Sequence, residues 1–496
     1  MRGINYRAVY LFATIASILL SCSAAFRTSV INPDGFCYVQ SAATMPMGLS
    51  TAMHLCGQAQ WPFYSILIFG VMKITHVAQI PAAFLLNGML TLISVLIFIA
   101  ITQVLTSSKR IVWLAAGVIL LAHEFNAART DVIRDHGFWA FYLVSLFCLL
   151  KYFHMPRWRY AITWSIALIV ATLFRIEGAI FLLAIPFAAW FDCRVKWGAR
   201  VKSFLQLNSL TILALVALLL YAAGHSQQSF GRLNEVQFQL VHGVTAITQI
   251  FQDKAAALGQ SVLSIYSARD ANLVLFLMLI SWYVVSAAIN LSLVYAALVI
   301  YAWWKKLLPN DFSARLALWS YVIVNVIITS IFLVENFFLT KRYLMALSLT
   351  LMFWVPFALN DLIQQWHIKK WPLMLALFFV AFYAAGGIID FGYSKKYLRE
   401  AGDWLATNTA QTASIYTNDF GVMYYSNHFD NTIFSKFIGF RDVSVIAHGK
   451  WRQYDYLALC FDKRDPTAKI MAEIPMKPVQ DFKNKRGDEV VIYKVH

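Results

Sequence analysis

Charged residues are scarce in this sequence of 496 residues: they make up only 13% of it, whereas hydrophobic residues make up 60%. Such a composition excludes an ordinary soluble globular protein. Acidic residues are especially rare. There are 25 of them, and 12 follow residue 390, so the first 390 residues contain only 13. An acid in that first part is therefore unusual.

Cysteine is also scarce, and the six cysteines form no metal-binding pattern. Cys37 and Cys56 lie in the same predicted loop, where they either pair in an oxidising compartment or stay unpaired. The net charge of +16 comes mostly from Lys and Arg in short loops between apolar segments. No basic stripe with interleaved aromatic residues stands apart from these loops. The charge therefore indicates membrane topology and argues against nucleic-acid binding.

Apolar segments long enough to cross a bilayer as helices, which takes roughly 20 residues, recur through the first part of the chain. They predict a polytopic α-helical membrane protein with about eleven spans. The predicted spans are residues 8–25, 81–105, 111–126, 137–153, 159–174, 178–191, 203–222, 271–302, 314–333, 343–360 and 371–390. Residues 26–80 and 223–270 then form two large outer loops.

Short loops rich in Lys and Arg mark the cytoplasmic side of a membrane protein. Four such loops are predicted to lie inside: residues 151–159, 194–202, 303–315 and 369–370. This orientation requires that residues 61–77 do not span the membrane, and their uninterrupted apolar part is shorter than a span. We therefore predict a helix in the outer interface there. The first apolar segment also fits a signal peptide, but an uncleaved span is the preferred interpretation.

Residues 391–496 alternate between helical and strand-like segments, which predicts a small soluble α/β domain on the outer side. The predicted helices cover 394–409 and 420–428, and the predicted strands cover 413–419, 454–461 and 489–495. No Gly-rich phosphate loop is present, so this domain is expected to cover or recognise a substrate. Residues 1–390 are expected to form the transmembrane catalytic domain.

In this topology the unusual charges of the first part gather on the outer face. Asp34 follows the first span, Arg134, Asp135 and His136 precede the fourth, Arg175 and Glu177 lie between two short spans, and Lys341 and Arg342 precede the tenth. Ionisable groups at membrane depth are costly and normally face a cavity or one another. Separate loops that supply them to one face predict a shared site.

The chemistry of such a site follows from its groups. A carboxylate such as Asp34 beside an apolar wall can act as a general base toward a hydroxyl. Arg and Lys suit a phosphate or pyrophosphate. Together with the location at the membrane, these groups predict transfer of the head group of a phosphorylated lipid, most simply a sugar, to a hydroxyl or amine outside the cytoplasm.

Several of these residues also have a purely structural interpretation. Asp34 and Asp135 could cap the helices that follow them, and His136 could be an interfacial hydrogen-bonding residue. Lys341 and Arg342 could anchor a span at the interface.

Arg175 and Glu177 are two residues apart, so on a regular helix they would not face each other. This spacing favours a bend with separate partners. Glu177 is then expected to be a counter-ion for Arg134 or Arg342.

The order of these features resembles the C-type membrane glycosyltransferases, the group that includes protein O-mannosyltransferases and bacterial lipid A aminoarabinose transferases. The shared features are an acid after the first span, a Trp-Pro-aromatic stretch, the segments "RDHGFWAFYLVSLFCLL", "LFRIEG" and "KRYLMAL", and a soluble outer domain. The resemblance implies transfer of a sugar from a polyprenyl-phosphate donor, usually with inversion of the anomeric centre.

The resemblance also implies residue roles. Asp34 would be the base or the acceptor-positioning group, and Asp135 the second acid, with Asp131 as a competitor. Arg342 and Tyr343 match an Arg-Tyr pair near the end of the family's membrane domain. One departure is that many members have two adjacent acids in the first loop, whereas here Gly35 follows Asp34.

The expected partners are a polyprenyl-phosphate sugar donor, a lipid, glycan or protein acceptor, and membrane lipids. No cofactor is indicated, no metal ligand is assigned, and a divalent cation is left open. The expected location is the bacterial inner membrane, with the active site and the C-terminal domain on the periplasmic or extracellular side. One alternative is a lipid-linked glycan ligase or polymerase, which would use Arg232, His242 and Arg269 of the second outer loop. Another is a lipid transporter or flippase, but the inverted repeat typical of transporters is not evident.

Overall fold

The fold was determined from a computed structural model, which describes residues 6–224, 233–308, 311–366, 368, 370–389, 391–428, 449–464, 474 and 476–496. Most of these residues are helical. The helices are α1 Arg7–Arg27, α2 Pro33–Thr44, α3 Leu49–His54, α4 Phe63–Thr75, α5 Gln79–Leu105, α6 Lys109–Leu120, α7 His123–Ala127, α8 Asp135–His154, α9 Trp158–Phe174, α10 Glu177–Ala184, α11 Trp197–Gly224, α12 Leu233–Ser261, α13 Ala271–Leu291, α14 Leu293–Trp304, α15 Phe312–Asn336, α16 Lys341–Leu351, α17 Val355–Gln364, α18 Trp371–Ile388, α19 Lys396–Asn408 and α20 Phe420–Ser426.

Seven helical stretches among the described residues are long and apolar enough to cross a bilayer, and the bent pair Lys109–Leu120 and His123–Thr130 makes an eighth. Large apolar side chains on these helices stay exposed, such as Phe378 and Phe382 at 64% each. A soluble protein would cover such a surface, whereas lipid solvates it. The chain is therefore a polytopic integral membrane protein, as predicted. The count of about eleven spans, which includes shorter helices, stays a prediction.

Two predicted segments differ from the structure. The span expected over 271–302 is broken, because Ser292 adopts a φ of 69° and separates α13 from α14. No Pro or Gly marks this break in the sequence. The outer loop expected over 223–270 contains α12, a helix of 29 residues.

By its internal contacts the chain divides into two units. The first consists of Met1–Leu20, Gly88–Ala128 and Arg134–Ile389, and the second of Ser21–Asn87, Arg129–Ile133 and Asp390–His496. The second unit thus combines the whole of the first predicted outer loop with the short segment Arg129–Ile133 and the C-terminal segment. The functional division into residues 1–390 and 391–496 stays a prediction.

In the first unit, polar side chains join helices that would otherwise meet only through apolar contacts. The hydroxyl of Tyr142 on α8 lies 2.5 Å from the hydroxyl of Thr350 on α16. The Tyr142 hydroxyl also accepts a hydrogen bond of 2.6 Å from Asn325 on α15. Hydrogen bonds of this kind hold membrane helices in register. They fix α8, α15 and α16 relative to one another.

The C-terminal part of the second unit forms a four-stranded sheet. Its strands are β1 Ile415–Thr417, β2 Tyr456–Phe461, β3 Gln480–Lys483 and β4 Glu489–Lys494. They are arranged in the order β1-β2-β4-β3, and only the β1–β2 pair among them is parallel. Helix α19 buries Leu398, Ala401 and Leu405 in the same core as β2 and β4. This confirms the predicted small α/β domain, although the half-exposed β3 was not predicted.

Most of the remainder of the second unit comes from the loop after the first span. Phe36 on α2 packs against Tyr424 on α20 with their ring centroids 4.9 Å apart. A disulfide joins Cys37 to Cys56, which decides between the two interpretations of these cysteines. Helix α4 has 13 residues and is thus only about 20 Å long, shorter than the apolar core of a bilayer. Its position in the outer interface stays a prediction.

Candidate functional site

Asp34 lies in the first turn of α2 in the second unit. Pro33 begins this helix, and Asn32 holds the N-cap position. Asp34 is therefore not the capping residue, although a carboxylate in the first turn interacts favourably with the helix dipole. Its Oδ1 accepts a hydrogen bond of 3.0 Å from the Nε2 of Gln58. The carboxylate is half-buried and is held in place by a neutral side chain.

The turn that carries Asp34 is bonded to the segment that carries Asp131. The backbone N–H of Val132 donates to the Oδ1 of Asn32 at 2.7 Å. A side chain at position 35 would meet this Asn32 oxygen at 2.9 Å and the Cβ of Val132 at 3.0 Å, so Gly35 is required by the close approach. The second unit thus places Asp131, and not a residue next to Asp34, beside the Asp34 turn.

Asp135, the other predicted acid, is part of a buried ion cluster in the first unit. Arg175 Nη1 donates to the Oδ1 of Asp135, and both side chains are less than a tenth exposed. Arg175 Nε lies 3.2 Å from both carboxylate oxygens of Glu177, and its Nη2 also donates to Glu177. The Arg175 guanidinium is therefore shared between two carboxylates, and Asp135 already has a cation as its partner.

The expectation that Arg175 and Glu177 have separate partners is wrong. Arg175 adopts an extended conformation, with φ −145° and ψ 132°, between α9 and α10. Ile176, between the two residues, is in the αR region and directly precedes α10, so the backbone turns between Arg175 and Glu177 and no regular helix joins them. The bend was predicted correctly, but it brings the two residues together. Arg134, at the start of α8, contributes a favourable electrostatic interaction with Glu177.

Beside this cluster lies a small cavity of about 50 Å³, whose lining includes Arg175, Phe332, Arg342 and Tyr343. The Tyr343 ring stacks on Phe332 at 4.1 Å and lies 4.4 Å from the Arg175 guanidinium. The half-buried Arg342 guanidinium lies 5.6 Å from the same ring. Tyr343 thus contacts two cations through its ring, as cation–π interactions allow. The cavity is much smaller than the 300–1,000 Å³ of typical ligand pockets, so it does not enclose a whole sugar.

The N-terminus of α16 adds to the positive character of this cavity. Thr340 holds the N-cap position, and Lys341 and Arg342 are the first helical residues. Among the described residues, the buried hydroxyl oxygen of Thr340 has no hydrogen-bond partner. Helix N-termini carry a partial positive charge and exposed N–H groups that suit anions. Thr340 was not predicted from the sequence, although it precedes the Lys-Arg pair directly.

Lys341 belongs to a different contact. Its Nζ donates to the Oε1 of Glu124 at 2.6 Å; Lys341 is 62% exposed and Glu124 only 7%. His123 lies 3.4 Å from the same carboxylate, and its Nδ1 contacts the backbone oxygen of Tyr383 at 2.8 Å. A side chain at Gly387 would meet the His123 backbone oxygen at 2.4 Å. Lys341 therefore joins α16 to α7, and His123 joins α7 to α18. Glu124 was not predicted from the sequence.

His136 is fully buried. Its Nδ1 lies 3.2 Å from the hydroxyl of Thr91 on α5, and its Nε2 lies 3.0 Å from the backbone oxygen of Ala128. The geometry fits a neutral ring that donates from Nε2 and accepts at Nδ1. The structure thus gives His136 a hydrogen-bonding role between helices.

Among the described residues, no group of three or more His, Cys, Asp or Glu side chains is arranged to hold a metal ion. Arg232 and the side chain of His242, on which the ligase or polymerase alternative depends, lie outside the described residues.

No protein-family model and no curated protein sequence matches the chain, but solved structures match its fold. The oligosaccharyltransferase of Archaeoglobus fulgidus, tethered to an acceptor peptide containing the NVT sequon, gives a TM-score of 0.58 at 12% identity over 99% of this chain and 74% of its own. ArnT of Cupriavidus metallidurans, bound to undecaprenyl phosphate, gives 0.55 at 12% identity over 99% of this chain and 98% of its own. This chain has the fold of C-type membrane glycosyltransferases. The predicted resemblance is thus confirmed at the level of the fold.

On this C-type fold, the predicted site residues fall into two groups. In the first unit the structure brings together Asp135, Arg175, Glu177, Arg342 and Tyr343, with Arg134 beside Glu177. Lys341 and His136 contact other partners in that unit. In the second unit it brings the Asp34 turn next to the Asp131 segment. The first group contains cations of the type that bind a phosphate, together with carboxylates, and the second group contains carboxylates of the type that can accept a proton.

Proposed function

We propose that this chain is an integral-membrane glycosyltransferase that moves a sugar from a polyprenyl-phosphate donor to an acceptor on the extracytoplasmic face, with inversion of the anomeric carbon. The observation that carries the proposal is the positive N-terminus of α16, which begins directly after Thr340 and contributes Arg342 to the lining of a small cavity. The fold supports it, since one structure of that fold contains undecaprenyl phosphate.

In the proposed reaction, an acceptor hydroxyl or amine attacks the anomeric carbon of the donor sugar. The bond from that carbon to the phosphate oxygen breaks, and its electron pair stays on the lipid phosphate. Arg342, the Thr340 hydroxyl and the N–H groups of the first turn of α16 stabilise the departing phosphate. Tyr343 positions Arg342 through its ring.

The proton of the acceptor passes to Asp34, which acts as the general base. Gln58 holds one of its oxygens at 3.0 Å and orients the carboxylate. The transition state has oxocarbenium character, so a fixed negative charge also stabilises it. We assign the role of second acid to Asp131 and not to Asp135, because Asp135 is bound to the buried Arg175.

We further propose that the second unit faces the periplasm or the exterior of a bacterial inner membrane. The Cys37–Cys56 disulfide supports this orientation, because disulfides persist in oxidising compartments and are rare in the cytosol. The Lys- and Arg-rich loops of the first unit favour the same orientation.

The test is transfer of a labelled sugar from a polyprenyl-phosphate pool in membranes that contain equal amounts of each variant. Asp34→Asn is expected to lower the rate by a factor of about 10²–10⁴, the usual contribution of a general base. Asp131→Asn is expected to lower the rate more than Asp135→Asn, which serves as the matched control.

Arg342→Gln is expected to weaken binding of the lipid phosphate itself, measured without an acceptor. Transfer by Asp34→Asn at the wild-type rate would remove Asp34 from the mechanism. Unchanged binding of polyprenyl phosphate by Arg342→Gln would remove the α16 N-terminus from the donor site.

A further inference from the structure

A second and larger cavity, of about 430 Å³, lies at the C-terminal end of α8 in the first unit. Its walls come from the end of α8, the segment 189–195 and the first turns of α11. Helix α8 has 20 residues and is therefore roughly 29 Å long. The cavity is thus separated by about one membrane thickness from the cluster around Asp135 at the other end of this helix.

The walls of this cavity are held by specific hydrogen bonds. Arg200 donates to the backbone oxygens of Val195 at 3.1 Å and Trp190 at 3.2 Å, which fixes the segment that leads into α11. On the opposite wall, the hydroxyl of Tyr152 donates to Gln206 at 2.7 Å. Because its walls are anchored in this way, the cavity is a formed part of the fold.

Positive charge faces this cavity. Arg194 donates from Nε and Nη2 to Asp192 at 2.9 and 2.8 Å, and from Nη1 to Ser313 at 2.7 Å. A guanidinium has five N–H groups, so two of them have no acceptor among the described residues. The exposed Lys202 adds an ammonium group to the lining, and His154, also in the lining, is paired with Asp311. Because Asp192 offsets the charge of Arg194, the positive charge of Lys202 gives the lining a net positive charge.

Large aromatic and apolar side chains surround this region. Phe191, which is 67% exposed, lies within the segment 189–195, and Trp197, which is 65% exposed, follows that segment. Aromatic residues of this kind concentrate at the level of lipid head groups. The predicted topology places the loops 151–159 and 194–202 on the cytoplasmic side, where basic pockets between spans bind anionic lipid head groups.

We propose that this cavity binds a phosphate-bearing anion through Arg194 and Lys202. The ligand is either the head group of an anionic phospholipid or a soluble phosphate compound, and the aromatic surroundings favour the lipid. This site is independent of the proposed glycosyl transfer, because it lies at the other end of α8 and shares no side chain with that site.

The experiment measures binding to the purified full chain by native mass spectrometry and by the shift of its thermal unfolding midpoint. The probes are phosphatidylglycerol, phosphatidylcholine as the zwitterionic comparison, and inorganic phosphate. The variant is Lys202→Gln, which removes the charge of an exposed side chain. Lys109→Gln is the matched control, because Lys109 is also exposed, lies at a helix start and does not line the cavity.

We expect Lys202→Gln to bind phosphatidylglycerol about fivefold more weakly than the wild type, since one lysine near a charged lipid surface contributes about that factor. Lys109→Gln should bind as the wild type does. If inorganic phosphate gives the same dependence on Lys202, the site exists but serves a soluble ligand. The proposal would be overturned if both variants lost the same affinity for phosphatidylglycerol. It would also be overturned if Lys202→Gln bound both phosphatidylglycerol and inorganic phosphate as tightly as the wild type.

Discussion

Replacement of Arg175 by Gln should destabilise the protein strongly. The guanidinium is 7% exposed and interacts with two carboxylates, those of Asp135 and Glu177. Its removal leaves the buried charge of Asp135 without its cation. Removal of one partner of a buried ion pair costs about 3–5 kcal/mol, and we expect a loss of unfolding free energy in that range for Arg175→Gln.

Asp135→Asn provides the matched comparison. Its amide oxygen still accepts from Arg175, and Arg175 keeps its contacts with Glu177, so only the charge contribution to one hydrogen bond is lost. We expect a cost of about 1–1.5 kcal/mol, the difference between a hydrogen bond to a charged group and a neutral one. The double variant Arg175→Gln/Asp135→Asn should be more stable than the sum of the single effects implies, by about 0.5–3 kcal/mol, because residue 135 then carries no buried charge that needs a cation.

The assay is denaturant-induced unfolding of the purified chain in detergent micelles, followed by circular dichroism. Equal destabilisation by the two single variants, or strict additivity in the double variant, would refute the structural role assigned to this cluster. The same preparations should show that Asp135→Asn loses transfer activity mainly in proportion to lost folded protein.

Three further perturbations have outcomes set by particular contacts. Gly387→Ala should lower the free energy of unfolding by about 1–3 kcal/mol, because the new Cβ would lie 2.4 Å from the backbone oxygen of His123. Gly386→Ala should lower it less, because that Cβ would meet only ring atoms of His123, at 3.1 Å or more. Thermal or denaturant unfolding measures both. Reduction of the disulfide that closes a separation of 19 residues should cost about 3 kcal/mol, so the reduced protein should unfold at a lower midpoint than the untreated protein. Tyr142→Phe should cost about 1–2 kcal/mol, because it removes the hydrogen bonds to α15 and α16; an unchanged midpoint would contradict the role of this hydroxyl in joining the three helices.

Much of the fold could be predicted from local patterns, because long apolar segments and alternating strands carry their own signals. The segment 271–302 could not be predicted as two helices, since Ser292 adopts a left-handed φ without being Gly. Helix α12 was missed because its polar residues resemble those of a loop. Strand β3 was missed because Gln480–Lys483 is only partly buried and lacks a clear apolar face.

The partners of the charged residues depend on tertiary structure and on backbone conformation, which spacing alone does not give. The spacing of Arg175 and Glu177 predicts a bend with separate partners, but the backbone at Arg175 and Ile176 turns so that the two side chains pair. The role of Glu124 could not be predicted, because its partner Lys341 lies 217 residues later in the sequence. These contacts become visible only when the helices are packed.

Gly35 shows how one substitution in a motif can be understood only from the folded chain. Gly35 follows Asp34 where many members of the resembled family have a second acid, so the sequence predicts that the first loop lacks this second acid. In the structure, position 35 has no room for a side chain because Asn32 and Val132 approach it within about 3 Å, and the segment that causes this crowding carries Asp131. The close approach that excludes an acid at position 35 is therefore the same contact that brings Asp131 to the turn, so a second carboxylate can be supplied from a different part of the chain.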